Sequence, residues 1–187
     1  MNTQEVLIRV APTPNPQAWK FILDRPVLIQ GKATFSDKTQ CGSFNMAKDL
    51  LELNGVNQVH FFSNVITITH DQNILFEDIR DLVNAVIHRD MPIHNPSITQ
   101  EDEKKKKRET LTPEQNTIEE ILDRTIRPGL QGDGGDIEIV KYEHPQLYVY
   151  YQGACGTCPS ATEGTLAAIE GILRDEFNSE IIVVPIN

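Results

Sequence analysis

Gly153-Ala154-Cys155-Gly156-Thr157-Cys158-Pro159 is the stretch around which the chain is organised. An alternating run from Gln146 to Tyr151 precedes it and reads as a strand, and a long helical pattern opens at Pro159. Two cysteines separated by two residues place both sulfurs on one metal or close them on each other. Pro159 suits the first helical position, where a missing amide hydrogen leaves no bond unmade. The helix then directs its positive end at the sulfurs and favours the thiolate that metals and electrophiles require.

Working outward, the flanking residues give this stretch a small domain of its own. Thr112 predicts a helix N-cap with Pro113 at the first position, and Ile118, Ile121, Leu122, Thr125 and Ile126 form the buried stripe. Pro128-Gly129 is expected to end that helix. Gln131-Gly132-Asp133-Gly134-Gly135-Asp136 reads as a tight turn into a strand from Ile137 to Tyr142, and His144-Pro145-Gln146 turns the hairpin. Beyond the cysteines, Leu166, Ile169, Ile172, Leu173 and Phe177 give the second helix its core face, and Ile181 to Val184 closes as a strand.

The other end of the chain predicts a second unit. Strands are expected at Glu5 to Val10, Trp19 to Ile22 and Pro26 to Ile29, with a short edge at Ala33-Thr34-Phe35. Pro12, Pro14 and Pro16 interrupt the first two. Ser43 is the expected N-cap of a helix from Met46 to Leu53, closed by Gly55. Val56 to Phe62 and Val65 to Thr69 form a hairpin across Ser63-Asn64, and Ile74 to His88 carries strong helical spacing. Ile93 to Thr110 then changes character. Its run Glu101-Asp102-Glu103-Lys104-Lys105-Lys106-Lys107-Arg108-Glu109 has no apolar period and reads as a solvated tether. The expected architecture is α+β: two small domains, 1–92 and 111–187, each a short β-sheet packed by two helices, joined by a flexible charged linker over 93–110.

Composition narrows the function. With 39% hydrophobic and 24% charged residues the 187-residue chain is ordinary globular material. No apolar run is long enough to span a bilayer, and no membrane partner is expected. The net charge of -10 argues against a nucleic-acid binder. The acid is concentrated in 111–187, with thirteen acidic against four basic residues, whereas 1–98 is nearly balanced at ten against eight. Three cysteines are too few for a disulfide scaffold, and the first residues do not form a secretory signal. A cytoplasmic location is expected, or the mitochondrial matrix if a presequence has been removed.

Three chemistries compete for Cys155 and Cys158. A structural zinc needs four ligands, and the sole histidine of the second unit, His144, falls in a hairpin turn, so zinc requires two copies of the chain. A thioredoxin-like dithiol also sits at a helix start, but that fold needs a larger β-rich half after the helix than the residues following Phe177 provide. An iron–sulfur cluster takes four thiolates, which a symmetric dimer supplies from two per chain. Bland readings apply elsewhere. Cys41 is a lone small side chain, and the glycines between Asp133 and Asp136 speak for turn geometry. His60, His70, His88 and His94 lack metal spacing, and Trp19, Phe21, Phe61 and Phe62 read as core or interface.

Ile126-Arg127-Pro128-Gly129-Leu130-Gln131-Gly132-Asp133-Gly134-Gly135-Asp136 followed by Gly153-Ala154-Cys155-Gly156-Thr157-Cys158-Pro159-Ser160 resembles the NifU C-terminal (Nfu-type) iron–sulfur scaffold domain over residues 112 to 187. The first unit, with Thr13-Pro14-Asn15-Pro16, the Lys20-Phe21 strand and Ile66-Thr67-Ile68-Thr69, is similar to the N-terminal domain of many Nfu proteins, although Cys41-Gly42-Ser43 departs from its pattern. The resemblance implies a non-enzymatic carrier that receives a cluster, usually [4Fe-4S], from an upstream donor and passes it to apo client proteins. It implies Cys155 and Cys158 as the ligands. The cluster would be shared between the subunits of a homodimer and surrendered easily because its ligands lie near the surface. The N-terminal unit is expected to recognise partners or clients. Limited trypsin digestion of the native chain should cut first among Lys104 to Arg108, where long side chains sit on a segment with no apolar face to bury; mass spectrometry of the first fragments locates the cut.

Overall fold

The computed structural model describes residues 5–98, 111–155 and 159–186, the backbone alone for 159–163. These residues form eight strands and five α-helices, in the two α+β domains expected. In the first, β1 (Ile8–Pro12), β2 (Ala18–Leu23) and β3 (Lys32–Phe35) are followed by α1 (Asn45–Glu52). The hairpin β4 (Val56–Phe62) and β5 (Val65–His70) then leads to α2 (Phe76–Asp90). The sheet runs in the order β1-β2-β5-β4-β3 with every pair antiparallel.

Alternation along the strands divides this sheet into two faces. Phe21, Ala33, Phe35, Val59, Phe61, Ile66 and Ile68 point to one side and are fully buried against Leu50, Val83 and Ile87 of the helices. Each of these side chains other than Ala33 contributes roughly 1.5–3 kcal/mol of apolar burial. Trp19 lies flat on Phe76 with ring centroids 4.0 Å apart. The other face carries Lys20, Lys32, Thr34, Gln58, His60, Thr67 and Thr69, the polar side that an antiparallel sheet ordinarily shows to water. Here Gln58, His60, Thr67 and Thr69 are buried.

The second domain covers them. It begins with α3 (Pro113–Thr125), started by a capping box between Thr112 and Gln115, and continues with the short α4 (Arg127–Gly132). β6 (Gly135–Glu143) and β7 (Gln146–Gly153) pair antiparallel, α5 (Pro159–Glu176) follows, and β8 (Ile182–Ile186) returns parallel to β7. Ile118, Leu122, Ile137, Leu147, Val149, Ile169, Leu173 and Ile181 make its core. No helix among the described residues is long and apolar enough to cross a membrane.

Several expectations need correction. Pro26 to Ile29 is not a strand; the amides of Val27 and Leu28 donate to the Ser63 carbonyl at the β4–β5 turn, so neither is left for a ladder. Phe44, not Ser43, precedes α1, and no side chain caps that helix. Pro128-Gly129 does not stop the chain's helical course. Proline is tolerated in a first turn, so α4 starts there with the Leu130 amide donating to the Ile126 carbonyl. The second sheet therefore carries three helices where two were expected. Of the linker, residues 99–110 lie outside the described residues. Before them, His94 Nε2 lies 2.7 Å from the Val27 carbonyl, Ile29 donates to the Pro96 carbonyl and Ile98 packs on the first core.

The domains meet through charge as well as shape. Lys32 of β3 forms an ion pair with Asp136 of β6, whose side chain is fully buried. Asp136 also lies 3.4 Å from Arg127 and accepts hydrogen bonds from Gln131 at 3.1 Å and the Ile137 amide at 2.6 Å. Arg127 is itself paired with Glu119 at 2.6 Å and with Asp123. Burial opposes ionisation of Asp136, but Lys32 and these hydrogen bonds outweigh it and hold the carboxyl below its ordinary range. Burial in turn pulls Lys32 below the usual lysine value, Asp136 opposing the shift. A carboxyl depressed in the folded state stabilises fully above its unfolded pKa, about 3.9, and that contribution disappears as pH falls through the folded value. Asp136→Asn should therefore lower stability by about 3 kcal/mol at pH 7. Its deficit against the unmodified chain should shrink as pH is taken below about 3.9. Urea unfolding midpoints measured across that range check both.

Candidate functional site

The two sequence motifs of the second domain are one structure. Gly135 at the start of β6 pairs with Gly153 at the end of β7, and the Ala154 amide donates to the Gly134 carbonyl at 3.1 Å. Gly134 (φ 83) and Gly153 (φ 63) both take the left-handed conformation that glycine adopts without strain. Gly135 is needed for space. A methyl group there would lie 2.9 Å from the Cys155 amide nitrogen and overlap its Sγ. One on Gly153 would meet the Gly134 carbonyl at 2.5 Å. The Asp-Gly-Gly turn is thus the platform on which the cysteine loop rests.

Cys155 sits on this platform as part of the second core, 9% exposed. The expectation that both ligands lie near the surface is corrected at this position: the missing side chain of Gly135 lets Cys155 sink onto β6. Tyr151, four residues before Cys155 on β7, is buried, and its hydroxyl has no hydrogen-bond partner among the described residues. Burial, helped by the neighbouring Cys155, pushes that hydroxyl well above the ordinary tyrosine value, so it stays protonated as a donor. Cys158 lies outside the described residues, and the structure does not test its assignment. α5 does begin at Pro159, so the helix start directly follows the second cysteine.

The first domain bonds the two residues that precede Cys155. Asn15 Nδ2 donates to the Ala154 carbonyl at 2.8 Å, and the Gly153 amide donates to Gln58 Oε1 at 2.6 Å. Gln58 Nε2 reaches the Tyr150 hydroxyl at 3.3 Å, and Lys20 Nζ donates to the Gly132 carbonyl at 2.8 Å. Gly134 needs its bare Cα here as well, because a Cβ would lie 2.8 Å from Lys20 Cδ and from Thr67 Oγ1.

The remaining candidates stay apart from the loop or prove structural. Cys41 is 1% exposed, bonded to the Asp37 carbonyl at 3.7 Å, and burial with Asp37 nearby holds its thiol above the usual value. His60 is buried with Nδ1 2.8 Å from the Thr34 hydroxyl, and His144 lies on the hairpin 3.9 Å from Glu180. Phe21 and Phe61 are core. Asp136 is more than a turn residue: it anchors the first domain. Asn15, Gln58, Lys20 and Lys32 were not foreseen. Their signal was faint, polar side chains alternating with apolar ones, which reads equally well as a solvated face.

Comparisons with known proteins find relatives of both domains. A family described as "Scaffold protein Nfu/NifU N terminal" matches residues 8–92, and one described as "NifU-like domain" matches 118–184. A Drosophila grimshawi protein named "NFU1 iron-sulfur cluster scaffold homolog, mitochondrial" is 33% identical over 179 residues, covering 89% of this chain and 57% of that protein. The Arabidopsis thaliana "NifU-like protein 5, mitochondrial" is 27% identical over 183 residues, covering 94% of this chain and 66% of that one. The chain spans about 57–62% of the length of the first three relatives it matches. The solution structure of a NifU-like protein from Saccharomyces cerevisiae overlaps with a TM-score of 0.47 at 18% identity, covering 54% of this chain and 90% of that one. By its two matched domains, in this order, the chain belongs to the Nfu/NifU-like family.

Proposed function

We propose that the chain is a carrier of iron–sulfur clusters, not a catalyst, and that Cys155 and Cys158 are its cluster ligands. The observation that supports this most directly is the platform: three glycines hold Cys155 at the end of β7 while α5 opens immediately beyond Cys158. Both cysteines immediately precede α5 in the sequence, and the positive end of a helix favours the anionic sulfurs of a cluster. The relatives bearing the name of iron–sulfur scaffold agree with it.

One chain supplies two thiolates and a four-iron cluster takes four, so two chains share one [4Fe-4S] cluster. The cluster is cargo. Held by two thiolates from each side, it is released to an apo client more readily than one enclosed by four ligands of a single chain. The acidic second domain opposes close approach of its twin, so the cluster staples the dimer. Residues 1–92 serve partner or client recognition, 93–98 pack on them, the charged remainder up to 110 is the tether, and 111–187 is the cluster-binding unit. Its relatives carry mitochondrial names, and we place this chain in the mitochondrial matrix as well.

Anaerobic reconstitution with iron and sulfide, followed by sedimentation, tests the reading. The unmodified chain should take up about four irons per two chains. It should move from monomer to dimer as it does so. Cys155→Ala and Cys158→Ala should each abolish uptake and the visible absorption that accompanies it, and Cys41→Ala should keep both. Zinc binding or a disulfide in place of a coloured cluster overturns the carrier assignment; a fully loaded monomer overturns the bridge.

A further inference from the structure

Thr13-Pro14-Asn15-Pro16 is the motif that neither core nor cargo chemistry has absorbed. Pro14 and Pro16 fix the backbone on both sides of Asn15. Asn15 Oδ1 accepts from the Gln17 amide at 2.9 Å, and the Thr13 hydroxyl accepts from the Asn15 amide at 3.1 Å. Asn15 is 2% exposed, so this stiff loop presents one buried amide to the second domain. That amide donates to the Ala154 carbonyl, the group bonded to the Cys155 nitrogen. From the neighbouring β4, Gln58 accepts the Gly153 amide. Two carboxamides of the first domain therefore hold the residues on either side of the Gly153–Ala154 peptide bond. Lys32 and Asp136 fix the platform strand beneath them.

From this we propose that Asn15 and Gln58 are positioning residues that clamp residues 153 and 154, so that access to the adjoining Cys155 requires the first domain to let go of them. The first domain then does more than recognise partners: it governs when the thiol is offered. An amide donor withdrawn from a buried carbonyl leaves that carbonyl unsatisfied, so the clamped form of residues 153–155 loses its advantage over a released one. Opening is a local event, and its population sets how fast a reagent reaches the thiol. The proposal takes its significance from Cys155 as a cluster ligand, but its test needs no cluster, so the two ideas fail separately.

The experiment follows alkylation of each cysteine by iodoacetamide in the full-length, cluster-free chain, at fixed pH, by mass spectrometry. Asn15→Asp keeps the acceptor that bonds the Gln17 amide and sets an oxygen against the Ala154 carbonyl. Gln58→Leu removes the acceptor of the Gly153 amide at similar volume. Each should raise the Cys155 rate by about tenfold, the scale expected when a buried hydrogen bond is left unmade. Cys41 lies in the first core and reports on unfolding of that domain. Its rate should not change. An unchanged Cys155 rate in both variants overturns the clamp, as does a Cys155 rate that rises only in step with Cys41. A chain that binds no cluster yet shows the selective rise upholds the clamp and refutes the carrier.

Discussion

A partly buried ammonium and a buried carboxylate fix how the two domains of this chain lie on each other. Lys32 and Asp136 come from strands of different sheets, and the Asp136 side chain is wholly screened from water. Such a pair adds little net stability, because desolvating both charges offsets most of their attraction. What it supplies is register: a shift of one domain against the other would leave a charge buried without its partner, at several kcal/mol. The rest of the interface needs that register. Hydrogen bonds at 2.8 Å from Asn15 and 2.6 Å to Gln58 form only when the platform strand is held in place.

The glycines follow from the same constraint. Gly134 faces Lys20 and Thr67 across the domain boundary, and Gly135 faces Cys155 within its own domain. Neighbouring residues thus admit contact from opposite sides, one for docking and one for the thiol. Side chains at either place would force the platform to choose between the first domain and the cysteine loop.

Much of this was legible in the sequence because it rests on local rules. Thr112-Pro113 starts a helix, Ser63-Asn64 turns a hairpin, and the alternation in β4 and β5 marks a sheet. The cysteine motif was found from two residues and a proline. What stayed hidden was everything the domains do to each other. Thr67 and Thr69 alternate with Ile66 and Ile68, and such a pattern predicts a solvated face; the second domain buries them instead. Asp136 read as a turn residue because its partner lies 104 positions away, where no local rule reaches. The buried position of Cys155 was missed for the same kind of reason, since it depends on the absence of a side chain at Gly135.

Under the proposed function, a carrier whose ligand is buried faces two opposed demands. Thiols that are exposed and ionised are oxidised most readily and bind stray metals, so burial protects a ligand while it is empty. Burial also costs the carrier speed, because every transfer must begin with an opening. The conflict eases when what the first domain adds to the apolar burial of Cys155 in the second core is a few separable polar contacts. Hydrogen bonds across a domain boundary exchange for water with a small net change, whereas pulling apart an apolar core costs roughly 25 cal/mol for each Å² exposed. The face that the first domain turns to the loop is built in that way, with Asn15, Lys20, Lys32, Gln58 and Thr67, while its apolar side chains face its own helices. The polar face is therefore suited to a lid that must lift without either domain unfolding.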